Sequence, residues 1–359
     1  MARVTREASA RRRRQLHAAT VVELARTGPA DLALTAVAER CGVTTTTIYR
    51  RHPTRDDLLE AVLVEVLAPE VGGWLDRLGQ GLDGGLDPLD RRPTRGPDAT
   101  TLGAWCQVCV AAAWPGPLAT GVRSVLRPDP AGAGPSGPRR PDAAALVVGS
   151  WLLTTGLHRR PPPLVHQLAA ARHHLSTSSG ASSALRGDEV HEPSRRRRTG
   201  SPGAAAGPIL DERGRRLLAA TAEAIDRVGY ANVSVDAIAR RAATSTGAVY
   251  NRFSGKAGLL AACLAAEPVG CSAWGPRVEA LRLGPALDPE IATGLEATIG
   301  RPLRARARVL AGMRREDPGR FPAEVRPGAL AWVTTALALG VWVVQRIDTP
   351  RRPPAATGP

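Results

Sequence analysis

The apolar positions of this chain recur at spacings of three and four, which predicts helices rather than strands. No run alternates with a period of two. Val21, Leu24 and Gly28 mark one face of a first helix, and Leu218, Ala222, Ile225 and Gly229 mark the same face of another. Gly28 and Gly229 supply the left-handed residue that commonly ends a helix. A second helix is expected at 34–41 and again at 235–242. In it Val37 and Ile238 face inward, and Ala38 and Ala239 are small where two helices cross closely. A turn follows, Gly42-Val43 in one place and Ala243-Thr244 in the other. If that turn requires positive φ, the alanine costs on the order of 1 kcal/mol. A short third helix at 45–51 is polar except at Ile48, as its counterpart is except at Val249. A fourth helix opens at Thr54, where Thr54-Arg55-Asp56-Asp57 reads as a capping box, or at Ser254.

These are two copies of one pattern. Residues 18–60 align with 219–261 at a constant offset of 201, without a gap. Ala18-Ala19-Thr20, Arg26, Gly28, Ala36, Ala38, Arg40, Tyr49, Arg51 and Leu58-Leu59 all find the same residue in the second copy. The rare residues sharpen the repeat. The chain has three tyrosines, and two are the paired Tyr49 and Tyr250. Its one lysine, Lys256, aligns with Arg55. A cation in the first turn of a helix, where acids are normally favoured, is explained if a phosphate also docks there.

The organisation follows from the repeat. Residues 1–13 read as a basic arm, 14–60 as the first four-helix pattern and 61–175 as a helical domain behind it. That domain is interrupted by loops at 80–100 and 127–142. Residues 176–208, rich in Ser, Gly, Arg and Pro, bury too little to offset chain entropy and read as a disordered linker. The second pattern occupies 209–261, a second helical domain 262–347 and a tail 348–359. Beyond the heads the halves match weakly: Arg127-Pro128-Asp129-Pro130 is echoed by Arg315-Glu316-Asp317-Pro318, and Gly149-Ser150-Trp151 by Gly340-Val341-Trp342. Indels separate these pairs from the first alignment.

Composition narrows the function. The 359 residues carry a formal charge of +15, which favours a polyanionic partner. Part of that charge sits in solvated tracts such as 11–14 and 195–198, and near-total replacement of lysine by arginine looks like a proteome-wide bias. Five cysteines, Cys41, Cys106, Cys109, Cys263 and Cys271, make no disulfide framework. Cys106 and Cys109 read as core packing rather than a redox or metal pair, and the histidines at 166, 173 and 174 as surface residues; no metal is expected. The apolar run 329–344 falls short of a spanning length near ~20 residues and reads as a buried helix. With no apolar leader after the N-terminal arginines, a cytoplasmic, non-membrane protein is expected. No phosphate-binding glycine loop, dinucleotide fingerprint or nucleophile elbow occurs, so an enzyme is not expected.

The third helix carries the candidate chemistry. It presents Thr44, Thr45, Thr46, Thr47 and Arg50 in the first copy and Ser245, Thr246, Gly247 and Asn251 in the second. Short hydroxyl and amide side chains, with glycine, allow close approach to base edges and phosphates in a major groove. The hydroxyls of Tyr49 and Tyr250 can reach phosphates.

These residues resemble the tetracycline-repressor (TetR) family of bacterial regulators. Its pattern is met by Val37-Ala38, Gly42-Val43, Ile48-Tyr49, His52, Arg55 and Leu58, and by Ile238-Ala239, residues 245–253 with Tyr250 and Phe253, Lys256 and Leu259. Departures are Thr46 for a glycine, His52 for a phenylalanine, Arg55 for a lysine, and Ala243 for the turn glycine. The resemblance implies an all-α fold in two tandem units, each a three-helix DNA-binding head joined by a fourth helix to a regulatory domain. It implies duplex DNA as partner, a small-molecule effector that releases the protein as a repressor, and no other cofactor. It also implies that pairing occurs either within one chain, as a pseudo-dimer with the late apolar helices 143–159 and 329–347 as its seam, or between chains. The other reading is a helical sensor or interaction protein whose heads no longer bind DNA.

Overall fold

A computed structural model describes residues 2–83, 96–128, 139–178, 211–266, 274–284 and 288–349. All of the predicted linker from 179 on, Cys271, the tail from 350 on and parts of the two predicted loops lie outside the described residues. Within them every regular element is helical and there is no strand. The first copy comprises α1 (Ala2–Thr27), α2 (Leu34–Cys41), α3 (Thr45–Tyr49) and α4 (Arg55–Val62). A π-helical turn (Leu63–Leu67) carries α4 into α5 (Ala68–Leu82), followed by α6 (Ala99–Ala112), α7 (Leu118–Leu126), α8 (Arg140–Leu157) and α9 (Leu164–Ser178). The second copy comprises α10 (Glu212–Val228), α11 (Val235–Arg241), α12 (Thr246–Tyr250), α13 (Lys256–Ala266), α14 (Trp274–Leu283) and α15 (Pro289–Leu295). A second π-helical turn (Glu296–Gly300) leads into α16 (Arg301–Glu316), and α17 (Pro327–Asp348) ends the described chain.

The chain forms two compact units, residues 1–151 with 343–359, and residues 152–342. The division falls inside α8 and α17, so each unit takes in residues of both sequence copies. In the first unit α1 packs along α6 and against α2 and α4, burying Leu16, Ala19, Val21 and Leu24. Gly103 on α6 faces Ala25 of α1, where a Cβ would meet that of Ala25 at 3.5 Å, an ordinary van der Waals distance. The last turn of α17 belongs to this unit. Arg123 on α7 donates to the carbonyl of Ile347 at 2.6 Å, and Arg127 pairs with Asp348 at 2.6 Å. In the second unit α10 packs on α11, α13 and α14, burying Leu217, Leu218, Ala222 and Ile225. There the ring of His173 on α9 meets Phe321 edge-on at 5.7 Å, and Arg159 pairs with Glu296 at 3.2 Å.

The structure departs from the sequence reading in three places. The stretch read as a basic arm is the first half of α1, so the first helix is 26 residues long, well beyond its apolar face. α17 has 22 residues, more than its apolar run, and is long and apolar enough by length and composition to cross a membrane. Most of that apolar run is nevertheless buried, including Ala331, Trp332, Val333, Ala336, Leu337 and Leu339. Ser254 does not cap α13; Gly255, at φ 88°, accepts the first helical bond, from Leu259. The capping box at Thr54 forms as expected: its hydroxyl accepts from Asp57 N, and the Asp57 carboxylate accepts from Thr54 N at 2.8 Å.

The turn between the second and third helices has the conformation anticipated. Gly42 sits at φ 64° and Ala243 at φ 51°, each making the equivalent bond back to α2 or α11. Ala243 therefore carries a steric cost that Gly42 does not. Replacing Ala243 with Gly is expected to stabilise the second unit by about 1 kcal/mol, and Gly42→Ala to destabilise the first by a similar amount. Denaturant titrations of the full chain check both; a destabilising Ala243→Gly would show the turn to be unstrained.

Candidate nucleic-acid interface

Each third helix is five residues long, too short to hold itself, and is fixed from both sides. From below, Ile48 is 1% exposed and Val249 0%. At its start, Thr44 accepts a bond from Thr47 N at 3.3 Å and Ser245 one from Ala248 N at 3.2 Å, so both are N-caps. At its end, His52 N and Phe253 N each donate to the carbonyl of Ile48 or Val249 at 2.9 Å.

This anchoring leaves one polar face in solvent. Thr44, Thr46, Tyr49 and Arg50 are exposed in the first head, with Thr45 and Thr47 half-buried. Ser245, Gly247, Tyr250 and Asn251 are exposed in the second, with Thr246 half-buried. Tyr49 and Tyr250 are 49% and 62% exposed, unusual for rings of that size and alike in both copies. The space over Gly247 is open, the nearest atom to an added Cβ being Ser245 Oγ at 3.9 Å, so a ligand could approach the backbone there.

Four other sequence candidates lie elsewhere. His52 and Phe253 are half-buried rather than part of the exposed face. His52 sits beside His17 of α1, with ring centroids 5.9 Å apart. Arg55 and Lys256 have intramolecular partners in the same geometry. Arg55 Nη1 donates to the carbonyl of Ala30 at 2.8 Å, and Lys256 Nζ to the carbonyl of Ala231 at 3.2 Å. Lys256 also lies 4.2 Å from the centre of the Tyr230 ring. The cation thus ties the loop after the first helix, a reason for its presence that requires no phosphate.

Sequence reasoning missed the latches behind the face. Arg51, directly after α3, donates to Ser9 Oγ at 3.2 Å on α1. Its counterpart Arg252 makes a two-pronged pair with Asp211, the N-cap of α10, and holds that carboxyl well below the usual range. The alignment of Arg51 with Arg252 was the available signal. A second missed feature is a buried pair, Glu279 and Arg282 on α14, 2.7 Å apart with side chains 4% and 7% exposed. Glu279 also accepts from the backbone N–H of Tyr230 at 3.0 Å, tying α14 to the end of α10. The first head differs in a consistent way. Gly103 faces Ala25 on α1 as Gly275 faces Asp226 on α10, which sets Gln107 opposite Glu279 and Val110 opposite Arg282. The residue aligned with Tyr230 is Pro29, which has no N–H to give, and Gln107 Oε1 is buried without a partner.

Two remaining candidates resolve to packing. Cys106 and Cys109 are fully buried free thiols, and burial pushes their pKa up, away from the reactive thiolate. Among the described residues no group of three or more His, Cys, Asp or Glu is arranged to hold a metal. The first unit does contain an open cavity of about 520 Å³ where the α6–α7 turn meets the end of α17, lined by Trp114, Ala119, Thr120, Arg123, Arg346 and Thr349 among others.

The buried pair can be tested directly. Glu279→Gln keeps an acceptor for Tyr230 but strands the Arg282 charge, and is expected to cost about 3–5 kcal/mol. Adding Arg282→Val, which reproduces the first head's Gln and Val, is expected to recover most of that loss. Thermal and denaturant unfolding of both variants measure it; a single variant as stable as the parent would mean that the pair bears no load.

Residues 16–62 and 217–263 each match the model of the bacterial regulatory proteins of the tetR family. The two matches cover both heads and stop before the helices behind them. A comparison with curated proteins gives no match.

Proposed function

We propose that this chain, a tetR-family DNA-binding transcriptional regulator carrying the family's DNA-binding domain twice, is a repressor that grips one operator with both heads and releases it on binding a small molecule. The observation that carries this reading is the duplicated exposed face: two five-residue helices, each seated by one buried side chain, each ending in an exposed tyrosine. In this reading Thr44, Thr45, Thr46, Thr47 and Arg50, and Ser245, Thr246, Gly247 and Asn251, meet the groove. Tyr49 and Tyr250 reach phosphates. Arg55 and Lys256 hold the loop beside the groove and add charge; His52 and Phe253 seat the third helix from behind. The cavity beside Trp114 falls in the size range of small-molecule sites, and two arginines on its wall suit a ligand with an anionic group.

Pairing within one chain is supported by the way each compact unit draws on both sequence copies, as in the Arg127–Asp348 and Arg159–Glu296 pairs. The recognition faces differ, four threonines against Ser-Thr-Gly-Ala, so the preferred site is an imperfect palindrome, whereas two identical heads would select a true one.

Duplexes selected from a random pool test the residue roles. Tyr49→Phe and Tyr250→Phe are expected to weaken binding on every sequence. Lys256→Ala is expected to weaken it and lower the salt slope by about one if the ammonium also meets a phosphate. Weaker binding with an unchanged slope would leave Lys256 only its bond to Ala231, and unchanged affinity in all three variants would remove these residues from the interface.

The assembly is tested by mass. Sedimentation of the free protein is expected to show one species near 37.7 kDa, with one chain saturating one operator. A stable species of twice that mass, carrying four heads, would replace the single-chain arrangement with a dimer of tandem chains.

A further inference from the structure

Three positions that are apolar in the second head are ionisable in the first. At the offset of 201, Leu218, Phe253 and Ala266 correspond to His17, His52 and Glu65. The three come together in space. His17 on α1 and His52 on the turn after α3 have ring centroids 5.9 Å apart at an interplanar angle of 54°. Glu65, in the π-helical turn that continues α4, places Oε2 3.8 Å from His17 Nδ1. His17 is 3% exposed, and the Nε2 atoms of both rings are buried with no hydrogen-bond partner. In the second head the corresponding residues are Leu218, 2% exposed, and the half-buried Phe253.

Two imidazoles in such a place are tolerable when neutral and costly when charged. Burial pushes the pKa of His17 down; Glu65 opposes this, while His52 and Arg13 add to it. Burial pushes His52 down as well, against the pull of Asp57 and Glu65 and with the push of Arg51. The facing charges are therefore Arg13 on α1, Arg51 on the turn, and Asp57 and Glu65 on α4 and its continuation. Glu65 is shared, since it also meets Arg13 at 3.4 Å. Glu65 is already engaged by Arg13 and Asp57 by the Thr54 cap, so the two carboxylates do not supply full neutralisation of two new imidazolium charges.

We propose that His17 and His52 make the first head, and not the second, sensitive to mild acid: protons taken up by the pair unseat α3 and free one half of the operator. The operator half of this statement rests on the DNA-binding reading above; the unseating does not. The direction follows from linkage. An opened head exposes imidazoles of ordinary pKa, about 6.5, whereas the closed head binds protons less readily. The closed head has its full stability above that value and loses it as the pH falls through it. Each linked proton is worth at most about tenfold per pH unit, so the pair gives at most about a hundredfold per unit.

Hydrogen exchange of the full chain between about pH 7.5 and about pH 5.5, corrected for the intrinsic rate, reads the two heads side by side. Residues 45–62 are expected to lose protection relative to 246–263 on acidification. The variant His17→Leu with His52→Phe, which writes the second head's residues into the first, is expected to abolish the difference. On DNA selected at neutral pH, footprints of the parent are expected to retreat from one half-site only. Parallel loss in both heads, or a pH dependence that survives the double variant, overturns the proposal. If that variant fails to fold, imidazole titration of the parent by NMR decides: two rings titrating in the ordinary range overturn it, and two depressed rings support it. Selective loss of protection in a chain that binds no duplex at any pH would count against the DNA-binding reading and leave the acid-sensitive pair standing.

Discussion

A helix of five residues has no stability of its own, and everything at the exposed polar face depends on seating one in each copy. The seat is a single buried side chain, Ile48 or Val249, on a helix that packs against the second helix of its head. The rest of the head serves that contact. The N-caps at Thr44 and Ser245 satisfy its first amides, the latches from Arg51 and Arg252 hold its end to the first helix, and the cations at 55 and 256 fix the loop that leads into the second. Because the anchor is internal, the outward positions can vary without loss of the fold. Four threonines in one copy and Ser-Thr-Gly-Ala in the other are compatible with the same geometry.

Duplication makes the chain its own comparison, and the two copies solve shared problems differently. Both place a glycine of a later helix, Gly103 or Gly275, against the same point of the first helix. Both bury a threonine whose hydroxyl bonds back four residues, Thr20 to Leu16 and Thr221 to Leu217. They part where a charge is buried. The second copy ties the end of α10 to α14 through Glu279 and its arginine, while the first has a proline at the matching amide and a neutral glutamine opposite. In the first head the buried charge is instead Glu23 on α1, 1% exposed and paired with Arg26. The differences come in matched sets, as expected when a packed interior lets one partner change only if its neighbours do.

The parts of this architecture legible in the sequence were those governed by local chemistry. The capping box at Thr54, the left-handed turn at Gly42, the inward faces of Val37 and Ile238, and the lone apolar anchor of the third helix each follow from residues within a turn of one another. What stayed hidden needed distant partners. Nothing near Lys256 announces the Ala231 carbonyl, and nothing near Arg252 announces Asp211, because each bond closes a loop of 25 or 41 residues. Glu279 and Arg282 look like an exposed helical pair at a spacing of three; only the packing of α14 on α10 reveals that they are buried. The N-terminal arginines suggest a solvated arm, yet they extend α1 because arginine is a good helix former with no breaker in the way.

Under the proposed function, an effector would reach a head through the packing of the first unit. The cavity beside Trp114 lies at one end of α6, and Gly103, nearer the other end, rests on Ala25 of α1. About ten residues separate the two points, roughly 15 Å along a rigid rod. The cavity wall also includes Arg346 and Thr349 from the end of α17, where Arg346 donates to the carbonyl of Ala113. A ligand that displaced this arginine would change how the α6–α7 turn is held, and α6 has no kink-forming proline between Ala99 and Ala112 to absorb the shift. Because α6 packs along α1, the displacement would be passed to α1, whose partner α2 precedes the third helix. In the second unit the bond from Tyr230 to Glu279 ties α10 to α14 in a comparable way, by a hydrogen bond where the first unit has a steric contact.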